Sequence, residues 1–264
     1  MARARESAFE GIRKLDIGRA QRQFARFNEQ SALYDATNDW TLMEDIAPKY
    51  SGEIKMYENQ VRNMLGKIHG TTIGQTLLRY IQNSPTRSKV WIVPANWARP
   101  TAITYGYSFE GEGIRVHINP KSFGVDAEDT LFHELVHAKR YAWNEYYRNT
   151  FTDPEVKSDF YDSSEEFLAN ELENLYHATR GFSDTYSVYS GAKKKKKEMY
   201  SYLASKTELP LALKFFLEND AFVKEVAGYK HPEYNSFRDF DQIMTEAGLD
   251  RSYTLLGWKK GMTP

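Results

Sequence analysis

Residues 133–137 read His-Glu-Leu-Val-His. On an α-helix, positions i and i+4 share a face. His133 and His137 can therefore direct two imidazole nitrogens at one zinc ion, with Glu134 beside the water that such an ion activates. The chemistry this predicts is hydrolysis by activated water, with Glu134 as the general base. A metal site that served stability alone would have no use for that carboxylate.

The motif requires a helix, and its surroundings supply one. In AEDTLFHELVHAKRYAW, residues 127–143, Leu131, Leu135, Ala138 and Ala142 recur at helical spacing and predict one buried stripe. Asp126 and Asp129 resemble a capping pair, and acidic residues in a first turn suit the helix dipole.

Catalytic zinc takes three protein ligands and one water, so a third ligand is expected. The metzincin pattern does not supply it, because Arg140 and Trp143 stand where that pattern has glycine and histidine. Glu145 is eight residues beyond His137, about 12 Å along the same helix, which is out of reach. The segment DSSEEFLANELENLY, residues 162–176, is the better source. Asp162, Ser163 or Ser164 can cap it, Phe167, Leu168, Leu172 and Leu175 form its apolar stripe, and Glu165 and Glu166 stand in its first turn. Glu166 shares a face with Asn170 and Glu173, which favours it over Glu165 as the ligand while leaving both open. An oxyanion donor is also expected. Tyr161, Tyr176 and His177 are the nearest choices, and Tyr161, at the helix entrance, is preferred because Tyr176 lies about 15 Å down the axis from Glu166.

HELVHA, preceded by IGQTLLRYIQNSPTRSKVWIVP and GYSFEGEGIRVHINP and followed by EEFLANELENLY, resembles the NleD-like zinc metallopeptidase effectors and related bacterial toxin domains. The resemblance runs over residues 72–176. It implies that His133 and His137 bind zinc, that Glu134 is the general base, and that a glutamate of the following helix, matched by Glu166, is the third ligand of a gluzincin. Glu166-Phe-Leu-Ala is also similar to the ligand-bearing helix of anthrax lethal factor, where a glutamate precedes Phe-Phe-Ala. The substrate of any one family member does not carry over. Export from a bacterium into a host or competitor cell is a further implication of the resemblance alone.

Composition narrows the field. With 264 residues, of which 41% are hydrophobic, the chain can bury a substantial core. Thirty-five basic and 36 acidic side chains leave a net charge of −1, so no global field favours nucleic acid or an anionic membrane. Cysteine is absent, which excludes disulfides, thiol nucleophiles and cysteine-ligated zinc. The opening MARARESAFEGIRK lacks the apolar core of a secretory signal, and no run of about 18 apolar residues suggests a membrane span. The expectation is a protein exported without a cleaved Sec signal, or otherwise cytoplasmic.

Along the chain, residues 1–70 read as a helical N-terminal extension, with a clearer helical pattern over 52–83 interrupted at Gly70 to Gly74. VWIVP, TAITYGYSF and IRVHINP read as strands, and in the last of these Ile114, Val116 and Ile118 alternate with Arg115 and His117. Strands before the motif helix fit a zincin, whose edge strand pairs with extended substrate. His117 is a surface strand residue or a substrate contact. Residues 72–180 form the expected catalytic core and 198–264 a helical C-terminal part broken by Pro210, all within one zincin-like domain. Five lysines at 193–197 predict a mobile, solvated loop over residues 191–197, or a dock for an acidic partner.

These features specify an α+β, zincin-like fold and a zinc-dependent endopeptidase. It would hold one zinc per chain and take a protein substrate bound as an extended strand, with no nucleic-acid or membrane partner. Two rivals remain: a zinc hydrolase acting on a non-protein substrate, and a non-enzymatic regulatory protein that retains a metal site.

Overall fold

The structure, a computed structural model, describes residues 51–86, 90–94, 103–105, 113–118, 127–146, 161, 163–186, 193–250 and 252. Residues 1–50 of the expected N-terminal extension and the Asp126 cap lie outside them. Helices and strands are both present, and the chain divides into two compact units, Met1–Asn144 and Glu145–Pro264. The boundary falls inside the segment 72–180 expected to form one catalytic core.

The described part of the first unit starts with α1 (Ser51–His69) and α2 (Thr72–Gln82), separated where Gly70 interrupts the helical pattern. Thr71 makes the corner: its hydroxyl donates to the Ile68 carbonyl at 2.9 Å and accepts the Gly74 amide at 3.1 Å as the cap of α2. The two helices approach so closely that a Cβ on Gly74 would collide with the Ile68 carbonyl, which is why glycine occupies this helical position. Ile73, Leu77 and Ile81 then face the core with Val61, Leu65 and Ile68 of α1.

Three short strands form one sheet: β1 (Val90–Pro94), β2 (Ile103–Tyr105) and β3 (Ile114–Ile118), in the order β1-β3-β2. β3 is central, parallel to β1 and antiparallel to β2. The alternation read from IRVHINP is present: Ile114, Val116 and Ile118 are buried and Arg115 and His117 partly exposed. Thr104 pairs directly with Val116, so both residues share the inward face.

The motif helix is α3 (Ala127–Ala142), packed against α1, α2, β2 and β3. Leu131, Leu135, Ala138 and Ala142, the predicted stripe, are all 0% exposed. Full burial of each leucine contributes about 1.5–3 kcal/mol, enough to fix the helix's rotation and so the direction of its polar residues. Its C-terminal end is tied down by Thr86, whose hydroxyl donates to the Ala142 carbonyl at 2.8 Å, and by Trp143, whose indole N–H reaches the Tyr80 carbonyl at 2.9 Å.

The second unit is organised on α4 (Ser164–Thr179), where Phe167, Leu168, Leu172 and Leu175 are fully buried as the periodicity predicts. β4 (Asp184–Tyr186) and β5 (Lys193–Lys195) form an antiparallel pair. They are followed by α5 (Lys196–Ala204), α6 (Glu208–Asn219), α7 (Ala221–Ala227) and α8 (Phe240–Glu246). Pro210 does not break a helix. It lies in the first turn of α6, where a missing N–H costs nothing, and the break precedes it at 205–207.

The lysine run is a second correction. Residues 193–195 are strand and 196–197 begin α5, so the expected mobile loop is ordered over these positions. The reason is a set of partners outside the run. Backbone pairing with Asp184–Tyr186 holds the strand, and Lys196 Nζ donates to the Glu233 carbonyl at 2.7 Å and lies 3.3 Å from Asp239. No helix among the described residues is long and apolar enough to cross a membrane.

Candidate metal centre

α3 carries His133 and His137 one turn apart, and the structure brings their rings together. The two Nε2 atoms are 3.2 Å apart, with ring centroids at 4.9 Å and planes at 72°. Two nitrogens bound tetrahedrally to one zinc at about 2.0–2.1 Å would be separated by roughly 3.3 Å. The spacing matches the edge of such a coordination polyhedron, so the imidazole pair fits a metal of that size and geometry. His137 is 4% exposed and His133 partly exposed, so the pair is anchored at one end and open at the other.

Glu134 follows the first histidine and is 6% exposed. The Thr104 hydroxyl from β2 meets its Oε2 at 2.7 Å and also lies 3.0 Å from its carbonyl oxygen. A hydroxyl has one proton to give, and the shorter contact, to a carboxylate, is the stronger. Among the described residues β2 is an edge strand, and it lies beside α3. Glu134, the two histidines and strand β2 are thus positioned by one packed unit.

His117 is on β3 with the opposite pleat from Val116 and Thr104, and so does not face Glu134. Burial, with the Arg115 charge adding to it, pulls its pKa down to about 4, so it is a neutral imidazole at physiological pH.

In the second unit Ser163 is the cap of α4, its hydroxyl accepting the Glu166 amide at 3.3 Å, one of the three caps read from the sequence. The adjacent glutamates differ in environment: Glu165 is 0% exposed, whereas Glu166 is partly exposed. Of the two, Glu166 alone has a side chain reachable by an external ion. Phe167 turns into the core, as expected.

Tyr161 is 2% exposed, its ring edge-on to Phe167 at 5.1 Å and its hydroxyl 3.5 Å from Asn170 Oδ1. Burial first, then the neighbouring Glu171 and Tyr202, drives its pKa well above the ordinary phenol value. The same burial keeps the hydroxyl out of water and directed at Asn170. Tyr176 and His177, the alternatives, are packing residues: Tyr176 is fully buried beneath the Arg180 guanidinium, and His177 stacks on Phe182 at 4.2 Å.

Sequence reasoning missed Thr104 and Glu171. Thr104 gave no signal, since alternation within Ile103-Thr104-Tyr105 would bury the apolar pair, and only the pairing with Val116 turns Thr104 inward. Glu171 gave no signal, since a lone glutamate on an acidic helix reads as solvated. It is fully buried, accepts the Tyr234 hydroxyl at 2.6 Å, and has its pKa raised by burial to about 7. Comparison of the chain with family models, with curated proteins and with solved structures finds no match.

Proposed function

We propose that the protein is a zinc-dependent endopeptidase of zincin-like fold, with His133, His137 and Glu166 as the three protein ligands of one zinc and Glu134 as the general base. The observation that carries the reading is the 3.2 Å approach of the two histidine Nε2 atoms on α3, with Glu134 between them in sequence. When bound, zinc supplies Lewis acidity that polarises a scissile carbonyl and acidifies water. Glu134 takes a proton from the attacking water and returns it to the leaving amine. Glu166 is preferred to Glu165 as the carboxylate ligand because its side chain is the accessible one of the pair. Tyr161, at the entrance of α4, is the proposed donor to the developing oxyanion.

The edge strand β2 beside α3 supports an extended peptide as substrate, added to the sheet by main-chain hydrogen bonds. Delivery by a bacterium into a host or target cell, without a cleaved Sec signal, is the proposed setting, with neither nucleic acid nor membrane as partner.

Two measurements test the reading. Elemental analysis of purified protein is expected to give one zinc per chain, and no zinc even after reconstitution would end it. Terminal-peptide mass spectrometry of a host lysate treated with wild-type or Glu134→Gln protein is expected to give new termini with the wild type alone. Zinc without any such termini would favour a non-protein substrate.

A further inference from the structure

We infer that Thr104 is a positioning residue for Glu134: it holds carboxylate oxygen Oε2, so that the other oxygen, Oε1, carries the proton during turnover. This rests on the proposed hydrolase reading and deepens it.

Glu134 has three side-chain torsions, and a general base must be held within a fraction of an ångström to act. Helix α3 fixes only its backbone. The Thr104 hydroxyl anchors its carboxylate, at 2.7 Å from Oε2, a distance in the range of charge-assisted hydrogen bonds. Thr104 is itself well placed to hold still. It is β-branched, which restricts its χ1 rotation. It sits opposite the fully buried Val116, and its oxygen is also 3.0 Å from the Glu134 carbonyl, so a single hydroxyl touches both ends of the residue it orients.

The proton then follows one route. The water's O–H bond breaks as an Oε1–H bond forms, and that bond later breaks as the amine nitrogen gains the proton. In the protonated state Oε2 is the carbonyl oxygen of the acid and still accepts from Thr104. The side chain keeps one conformation through both steps, with no reorganisation between them.

The placement has a second consequence. Thr104 belongs to the edge strand proposed to receive substrate, so the residue that aims the base is on the same three-residue strand that would align the scissile bond. Ordering of β2 by substrate would tighten the aim of Glu134.

The test uses the full-length, zinc-loaded protein with Thr104→Val, which keeps the shape and removes the hydroxyl, and Thr104→Ser, which restores it. The first readout is cleavage of a quenched-fluorescent peptide library. Thr104→Val is expected to lower kcat about 10–100-fold with KM little changed, as for other partners that orient a reactive group, and Thr104→Ser to recover most of it. The second readout needs no turnover: acetohydroxamate, which binds zinc and passes its proton to the base, should bind Thr104→Val about tenfold more weakly at an unchanged zinc content. Undiminished kcat and hydroxamate affinity in Thr104→Val would overturn the inference. So would loss of zinc and folding in Thr104→Val, or a Thr104→Ser variant as impaired as the valine, since either would make Thr104 a structural tie. A wild-type protein that holds no zinc would instead overturn the hydrolase reading on which the inference stands.

Discussion

The Tyr234 hydroxyl donates to Glu171 Oε2 at 2.6 Å, joining the middle of α4 to the irregular segment before α8 within the second unit, and both side chains are out of water. Burial raises the carboxyl of Glu171 to about 7 from its ordinary 4.5. A raised carboxyl pKa means that the folded state binds the proton more tightly than the unfolded one between pH 4.5 and 7. Stability from this group is therefore full below about pH 4.5 and is lost as pH rises to about 7, by an amount of order 3 kcal/mol. Glu171→Gln, which cannot ionise, should flatten this part of the profile and raise the melting temperature at pH 8. Thermal denaturation of both proteins from pH 4.5 to 8 checks it. Parallel curves would remove Glu171 as the cause.

Glu134→Gln should retain fold and zinc and lose turnover by about 10²–10⁴-fold, the range for removal of a general base. The amide preserves the size of the side chain and can still accept from Thr104. Circular dichroism and elemental analysis should therefore match the wild type. Near wild-type cleavage would give the residue another role.

The motif helix and its buried face were legible because two periodicities coincide in one segment: apolar residues at helical spacing, and two histidines at i and i+4. α4 was legible from its apolar spacing, while the choice among Asp162, Ser163 and Ser164 as its cap was left open until the structure gave Ser163. The lysine run misled because charge density along the chain carries no information about partners such as Asp184–Tyr186, Glu233 and Asp239, which the fold brings in from elsewhere. Pro210 misled for a different reason: proline breaks a helix interior but is tolerated in its first turn, and the composition of 198–228 does not reveal where that turn begins. The hold of Thr104 on Glu134 is a contact across 30 residues of sequence, visible only once β2 lies beside α3.

The two glutamates at the start of α4 should separate in their effects. Glu166→Ala is expected to weaken zinc affinity and activity together while leaving the melting temperature of the zinc-free protein close to the wild type, because its side chain is partly exposed. Glu165→Ala is expected to do the reverse. Its side chain is fully buried, so truncation should cost about 1–3 kcal/mol in stability with zinc affinity preserved in the protein that remains folded. Competition of each variant against a chromophoric chelator, paired with calorimetry, gives both quantities. If Glu165→Ala lost zinc and Glu166→Ala kept it, the ligand would move to Glu165.

Within the lysine run the effects should be concentrated at one position. Lys196 Nζ reaches the Glu233 carbonyl and the Asp239 carboxylate, and the same carboxylate accepts the Tyr200 hydroxyl at 2.6 Å and the Arg238 guanidinium at 2.9 Å. Lys195 and Lys197 are exposed. Lys196→Ser should therefore lower stability by about 0.5–1 kcal/mol, the modest value of a partly solvated pair with one added hydrogen bond, and the loss should shrink when Asp239 is replaced by asparagine beforehand. Lys197→Ser should have no measurable effect. A double-mutant cycle on Lys196 and Asp239 in chemical denaturation measures the coupling directly. A coupling of zero would mean that the Lys196–Asp239 pair does not help to order this segment.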